Sequence, residues 1–74
     1  MSARPVKHSV TLRGHRTSVS LEAEFWQEFR AIAAREGIAL NALAARIDAA
    51  RGDTGLASAI RLFVLQDALR RAGG

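Results

Sequence analysis

The sequence predicts a mainly α-helical domain that begins with a short β-ribbon and is completed by a second copy of the chain. Residues 9–21 alternate apolar and polar side chains and are rich in β-branched residues, as strands are. Three later segments repeat apolar side chains at helical spacing. A chain of 74 residues without cysteine has little core and no disulfide to stabilise it. Oligomerisation is therefore expected.

The domain is predicted to span residues 8–74, after a flexible basic arm over residues 1–7. Pro5 stands among small and charged residues in that arm, as is typical of chain termini without regular structure. The alternating pattern begins only after it. The boundary is therefore placed where the composition changes.

The ribbon pattern changes phase at Gly14, because its apolar residues are even-numbered before this glycine and odd-numbered after it. A two-residue turn at Gly14-His15, of type II′ with glycine first, would return all of them to one face. That turn pairs Leu12 with Thr17 and Val10 with Val19 on the apolar face, and Arg13 with Arg16, Thr11 with Ser18 and Ser9 with Ser20 on the polar face. A bend or bulge at Gly14 between two short strands restores the phase equally well.

Three helices are predicted, over about residues 22–36, 40–50 and 56–71, and Gly37 is a candidate left-handed end of the first. The apolar stripe of the first helix contains Phe25, Phe29, Ile32 and Ala33, with Trp26 packing at its edge; that of the second contains Leu40, Leu43, Ala44 and Ile47. The third helix carries two stripes: Ile60, Phe63 and Val64, and then Leu62, Leu65 and Leu69. A helix this apolar needs neighbours on more than one side, and a second subunit is expected to supply some of them.

The net charge of +4 lies entirely in the first 21 residues, which contain four basic residues and no acid. The remaining chain has seven arginines and seven acidic residues and is neutral. A basic segment on a neutral body is the pattern expected of a phosphate-binding element. A solubilising basic tail would have the same composition.

Enzymatic chemistry is not expected, and no catalytic residue is assigned. The two histidines, His8 and His15, have no acidic residue near them and do not match a zinc pattern, and no glycine-rich phosphate loop is present. The sequence therefore predicts no metal and no cofactor. No segment has the length and hydropathy of a membrane span or the form of a secretory signal, so a cytoplasmic location is expected.

Four segments resemble the bacterial ribbon-helix-helix family, over roughly residues 8–66. They are the run RTSVSLEAEFW from Arg16, the segment AIAAREGIALN over residues 31–41, the segment around Ile47-Asp48, and LASAIRLFVLQ from Leu56. The resemblance implies a ribbon-helix-helix fold with a third C-terminal helix, built as an intertwined homodimer. It implies binding to double-stranded DNA, with higher-order assembly on DNA as a further option.

The resemblance also implies a role for individual residues. Two ribbons, one from each subunit, pair antiparallel and enter the major groove, with Arg16, Ser18 and Ser20 facing the base edges and Thr17, Val19 and Leu21 facing inward. Phosphate is expected at the start of the second helix, around Ala39, Leu40 and Asn41, although the family usually has Ser or Thr where Ala39 stands. Lys7 and Arg13 are expected to contact phosphate as well. The predicted dimer core contains Val19, Leu21, Phe29, Leu43, Ile47, Ile60, Leu62 and Phe63.

The function expected from these features is transcriptional regulation, as a repressor that reads DNA sequence. The alternative is a non-enzymatic protein-interaction module, or an antitoxin that uses the same dimeric fold. Residues 67–74, DALRRAGG, are few and end in Gly-Gly, so little C-terminal extension is expected to cover a toxin.

Overall fold

The structure, a computed structural model, describes residues 4–73. Two strands, β1 (Pro5–Leu12) and β2 (His15–Glu22), precede three helices, α1 (Ala23–Glu36), α2 (Leu40–Ala50) and α3 (Leu56–Gly73). The mainly α-helical class with an N-terminal ribbon is confirmed, and the helices begin and end within two residues of their predicted bounds. Within the described residues, no helix is both long enough and apolar enough to cross a membrane.

The ribbon is an antiparallel hairpin, which confirms the turn and excludes the single bent strand. The predicted turn position is wrong by one residue. Arg13 and Gly14 form the turn, with φ of 53° and 83°, and positive φ at both central positions defines type I′ rather than type II′. The register therefore pairs Leu12 with His15 and Val10 with Thr17.

Charge repulsion gives a physical reason for this register. The predicted register would place Arg13 directly opposite Arg16, and like charges in a cross-strand pair are destabilising. The observed register moves Arg13 into the turn and sets Thr11 opposite Arg16. Apart from Arg13, each residue that was assigned to a face of the hairpin still lies on that face, because a register shift of two residues preserves the alternation of side chains.

Strand β1 begins earlier than the predicted start of the domain. Val6 pairs with Leu21 and Lys7 with Ser20, so residues 5–7 are part of the hairpin instead of a flexible arm. The register gives these residues cross-strand partners, which composition alone did not reveal. The first three residues of the predicted arm, which covers residues 1–7, lie outside the described residues.

The core lies between the inner face of the hairpin and the three helices. The hairpin contributes Val10, Val19 and Leu21, and the helices contribute Phe29, Ile32, Ala33, Leu43, Ala44, Ile47, Ile60 and Val64. Gly37 ends α1 in the predicted left-handed conformation, with φ of 69°. Burial of each large side chain in this core contributes roughly 1.5–3 kcal/mol, and this packing fixes the hairpin on the helices.

The two apolar stripes of α3 have different environments. Ile60 and Val64, from the first stripe, are buried in the core. Leu62, Leu65 and Leu69, from the second, are 52%, 49% and 61% exposed. One chain therefore covers only one side of α3, as the sequence predicted for a helix that needs further neighbours.

An ion cluster joins α3 to α1 around Asp67, which is only 2% exposed. Arg35 donates to both of its carboxylate oxygens, at 2.9 and 3.0 Å, and Arg70 and Arg71 each donate to one of them. Burial raises the pKa of Asp67, but the hydrogen bonds and charges of Arg35 and Arg71 outweigh burial and hold this pKa below its usual value. Asp67 therefore stays ionised inside the fold.

Candidate nucleic-acid interface

Beyond the terminal pair Pro5 and Glu22, the outward face of the hairpin presents six exposed side chains in two rows. We call them the β1 row and the β2 row: Lys7, Ser9 and Thr11 from β1, and Arg16, Ser18 and Ser20 from β2. The register sets Lys7 opposite Ser20, Ser9 opposite Ser18, and Thr11 opposite Arg16. The six side chains form a field of four hydroxyl groups, with the cations Lys7 and Arg16 at diagonally opposite corners.

The inner face of the hairpin explains why this field points outward. Val10, Val19 and Leu21 are buried against the helices, and alternation turns their neighbours to solvent. His8, on the same inner face, stacks on the Trp26 ring with centroids 4.0 Å apart and planes 5° from parallel. Trp26 thus packs at the edge of the core, as predicted, and helps to hold β1 against α1.

The cations in and next to the hairpin have no acidic partner among residues 4–73. Arg4, Lys7, Arg13 and Arg16 form no salt bridge with any residue that the structure describes. The segment of residues 4–21 contains no acid that could pair with them locally. The outward face is therefore a concentration of positive charge that remains available to an external anion.

Along the outer edge of β1, which faces away from β2, the backbone groups are only partly available to pair with another strand. Pro5, at its start, has no amide hydrogen to donate, and the Thr11 amide donates to Asn41 Oδ1 at 3.0 Å. That bond shows that Thr11 directs its amide away from β2. Because alternate residues of a strand direct their backbone groups to the same side, Ser9 and Lys7 also face this outer edge.

Along the outer edge of β2, which faces away from β1, more of the backbone groups are available to pair with another strand. By the same alternation, its outward backbone groups belong to Arg16, Ser18 and Ser20. Of these, the Ser20 carbonyl accepts a long hydrogen bond of 3.4 Å from Arg61 Nη2. Helix α3, which carries Arg61, therefore lies beside this edge of the hairpin near Ser20.

Arg61 also fixes the end of β2 through Glu22. Its Nε and Nη2 atoms donate to the two Glu22 oxygens at 2.9 and 3.3 Å. The hydrogen bond from Arg61 is the main reason that the pKa of Glu22 is lowered. This pair neutralises the acid at the end of the hairpin, so the positive charge of the outward face is not offset by it.

The start of α2 lies next to β1. Ala39 is the N-cap and has no side-chain capping bond, so the first amides of α2 have no acceptor within the helix. Asn41 does not replace the missing cap, since its Oδ1 accepts from Thr11 instead. The candidate phosphate site at Ala39, Leu40 and Asn41 thus adjoins the β1 side of the hairpin.

The predicted site residues fall into two groups. The base-facing candidates Arg16, Ser18 and Ser20 lie together in one row, beside Lys7 and close to Arg13 in the turn. Six residues of the predicted dimer core are already buried within one chain: Val19, Leu21, Phe29, Leu43, Ile47 and Ile60. Leu62 and Phe63 remain accessible and line a groove of about 290 Å³ between α2 and α3. The role of each of these residues stays a prediction.

Two residues of the outward face, Ser9 and Thr11, received no role from the sequence. The alternation placed both on the polar face, but the base-facing roles that the resemblance implies lie only along the second strand. Their position beside Ser18 and Arg16 became visible with the register.

A family model described as a ribbon-helix-helix domain matches residues 5–68. The match includes the whole hairpin, α1, α2 and most of α3. No curated protein and no solved structure matches the chain.

Proposed function

The chain belongs to the ribbon-helix-helix family, a DNA-binding fold, and from that premise we propose that it is a homodimeric transcriptional regulator that reads duplex DNA with the outward face of its hairpin. The observation that carries the proposal is the field of hydroxyl and cationic side chains whose cations have no partner among the described residues. A two-stranded ribbon is one of the elements that the major groove admits.

The β2 row is the proposed base-reading element. Arg16 can form a bidentate pair with guanine, and Ser18 and Ser20 can donate to or accept from several base edges. Both serines are short, which allows the strand to lie close to the bases. Arg16 has the longest reach of the three and is expected to contribute most to sequence preference.

Phosphate contacts are proposed on the β1 side of this row and at the turn. Lys7 and Arg13 are exposed cations at the two ends of β1, and the uncapped amides near Ala39, Leu40 and Asn41 adjoin its outer edge. Helix N-termini bind phosphate through such amides and through the helix dipole. These contacts position the protein on DNA without reading its sequence.

We propose that the second copy pairs along β2. The outer edge of β1 is interrupted by Pro5 and by the bond from Thr11 to Asn41, whereas Arg16 and Ser18 have no such bond within the described residues. A two-fold axis near Ser18 would pair Arg16 of each chain with Ser20 of the other, which keeps the arginines apart.

The same side of the molecule carries the exposed stripe of α3. Arg61 reaches the outer edge of β2, and the next residue, Leu62, begins the stripe that continues at Leu65 and Leu69. Three half-exposed leucines on one helix form an apolar surface that a soluble monomer rarely leaves uncovered. A partner copy that pairs along β2 would therefore also have α3 within reach.

The dimer is tested by sedimentation equilibrium on the full chain and on Leu65→Glu. Wild type is expected to sediment as a dimer at micromolar concentration, and Leu65→Glu is expected to shift towards monomer because a charge would be buried in the interface. Ala31→Glu, an exposed position on α1 opposite its buried residues Phe29, Ile32 and Ala33, is the control and should remain dimeric. A folded wild-type monomer at micromolar concentration would contradict the dimer.

The DNA-reading role is tested by fluorescence anisotropy with duplex DNA at low salt. Arg16→Ala should weaken binding by about 1–3 kcal/mol for each base that the arginine reads, and it should relax the preference at one base position. Arg30→Ala is the control, because Arg30 is exposed on α1 and has no salt bridge within residues 4–73. A dimer that binds no duplex would leave the protein-interaction role, with the α3 stripe as its surface, as the better explanation.

A further inference from the structure

The position of β1 between β2 and the start of α2 has a consequence for how the outward face meets DNA. We propose that the hydroxyl groups of Ser9 and Thr11 bind non-esterified oxygens of the phosphodiester backbone, so that β1 is a phosphate-binding strand that flanks a base-reading strand. This inference rests on the proposed function, because it takes β2 as the strand that faces the bases.

The order of elements supports the assignment. Across the hairpin from β2, the next strand is β1 and the next group is Asn41 at the start of α2, which holds the Thr11 amide. If β2 lies over the floor of the groove, β1 is displaced towards its wall by one strand spacing, about 4.8 Å. The walls of the major groove are the two sugar-phosphate backbones.

The width of the major groove also places β1 over the phosphates in a dimer that pairs along β2. Four strands in the order β1-β2-β2-β1 place the two outer strands about 14 Å apart, at three spacings of about 4.8 Å. The major groove is about 12 Å wide. The outer strands therefore lie over the phosphates, while the two β2 strands remain over the base edges.

The chemistry of the β1 row suits this position. Ser9 and Thr11 are exposed and offer hydroxyl donors, and Lys7 adds an ammonium group at the end of the row. A phosphate oxygen accepts hydrogen bonds from all three groups, and a charged acceptor strengthens each bond. Serine and threonine are short enough to let the strand approach the backbone without a clash.

Neither hydroxyl has a structural role that would explain it. The hydrogen bonds of the described residues include the backbone amide of Thr11 but neither the Thr11 side chain nor the Ser9 side chain. Replacing Thr11 by Val keeps the amide bond to Asn41 and the shape of the side chain. The double variant Ser9→Ala/Thr11→Val should therefore leave the hairpin folded.

The test selects duplexes from a random library with three proteins: wild type, Ser9→Ala/Thr11→Val, and the matched β2-row variant Ser18→Ala/Ser20→Ala. The β1-row variant should select the same motif as wild type but bind every duplex about tenfold more weakly or worse, because phosphates are common to all sequences. The β2-row variant should instead alter the motif. Circular dichroism melting would verify that all three proteins are equally folded.

A second measurement locates the contact on DNA. Methylphosphonate substitution removes the charge and one acceptor oxygen at single positions of the selected duplex. Wild type should lose affinity at the positions that Ser9 and Thr11 contact, and the β1-row variant should be insensitive there. The dependence of affinity on salt should be the same for both proteins, because a hydroxyl releases no counterion, whereas Lys7→Gln should make it less steep.

Two results would overturn the inference while leaving the DNA-binding role intact: unchanged affinity of the β1-row variant, or selection of a new motif by it. The first would show that β1 does not contact DNA, and the second that it reads bases. Failure of wild type to bind any duplex would overturn the inference together with the proposed function.

Discussion

The hairpin and the helical body use arginine in opposite ways. In the body, Arg35, Arg70 and Arg71 surround the buried Asp67, and Arg61 holds Glu22. On the hairpin, Arg13 and Arg16 have no acidic partner within the described residues. The body is neutralised from within, so its charges serve the fold. The charges of the hairpin lack an internal counter-charge, and binding a polyanion would supply one.

The largest expected effect on stability is a difference between a substitution in the helical body and one on the outward face of the hairpin. Phe29 is fully buried, and Phe29→Ala should cost about 3–5 kcal/mol because it removes packing and leaves a cavity. Arg16→Ala, on the exposed face, should change the free energy of unfolding by less than about 0.5 kcal/mol. Urea unfolding of both variants makes the comparison. Equal decreases in stability would show that the outward face is part of the folding core.

The ion cluster should give the next largest effect. Asp67→Asn removes the carboxylate that Arg35, Arg70 and Arg71 share, and among the described residues it leaves Arg35 and Arg70 without an acidic partner. The thermal midpoint should fall further than it does for removal of Arg70 alone. Glu24→Gln is the control, since Glu24 is an exposed acid of α1. A midpoint equal to that of wild type would show that the cluster does not stabilise the fold.

Low pH should destabilise the helical body because it protonates Asp67. The pKa of Asp67 is lower in the fold than in the unfolded chain, so the unfolded chain binds the proton more readily. The stabilisation is therefore present above the unfolded pKa, at about pH 5 and higher, and is lost as the pH falls through the lowered pKa. The urea midpoint should drop less between about pH 5 and about pH 2.5 in Asp67→Asn than in wild type. An identical drop would assign acid sensitivity to other groups.

The smallest effect is expected at the turn. Arg13 adopts φ of 53°, which is costly for most side chains but not for asparagine, and Asn-Gly is the preferred type I′ sequence. Arg13→Asn should stabilise the protein by about 0.5–1 kcal/mol, while it removes a cation from the hairpin. A gain in stability with weaker DNA binding would show that Arg13 is retained for binding. Lower stability would contradict the turn assignment.

The sequence was sufficient to predict the helices and the faces of the ribbon. Both follow from local periodicity: Phe29 and Leu43 recur on helical stripes, and Ser18 alternates with Val19. The phase change is equally compatible with Arg13-Gly14 and with Gly14-His15 as the two turn residues, and the predicted turn took Gly14 first because glycine suits that position of a type II′ turn. The repulsion between arginines on opposite strands, which disfavours the predicted register, depends on the cross-strand pairing and not on the phase.

Other features depend on contacts that no local pattern contains. Asp67 is 32 residues from Arg35, and only the packing of α3 on α1 brings the two together. The bond between Thr11 and Asn41 spans 30 residues and decides which edge of the hairpin remains open. The net charge confined to residues 1–21 led to the prediction that the ribbon binds DNA. The position of the β1 row beside the β2 row, however, follows only from the cross-strand register.

The most direct test of the central claim is the dependence of DNA affinity on salt. Each phosphate neutralised contributes about −0.9 to the slope of log affinity against log salt concentration. Arg4, Lys7 and Arg13 from two chains, without the base-reading Arg16, allow a slope on the order of −5. We predict a steep slope for wild type, a slope weaker by about 3–4 for Lys7→Gln/Arg13→Gln in both chains, and no change for Arg30→Ala. A slope that is the same in all three proteins would contradict the claim that the unpaired cations of the hairpin bind DNA.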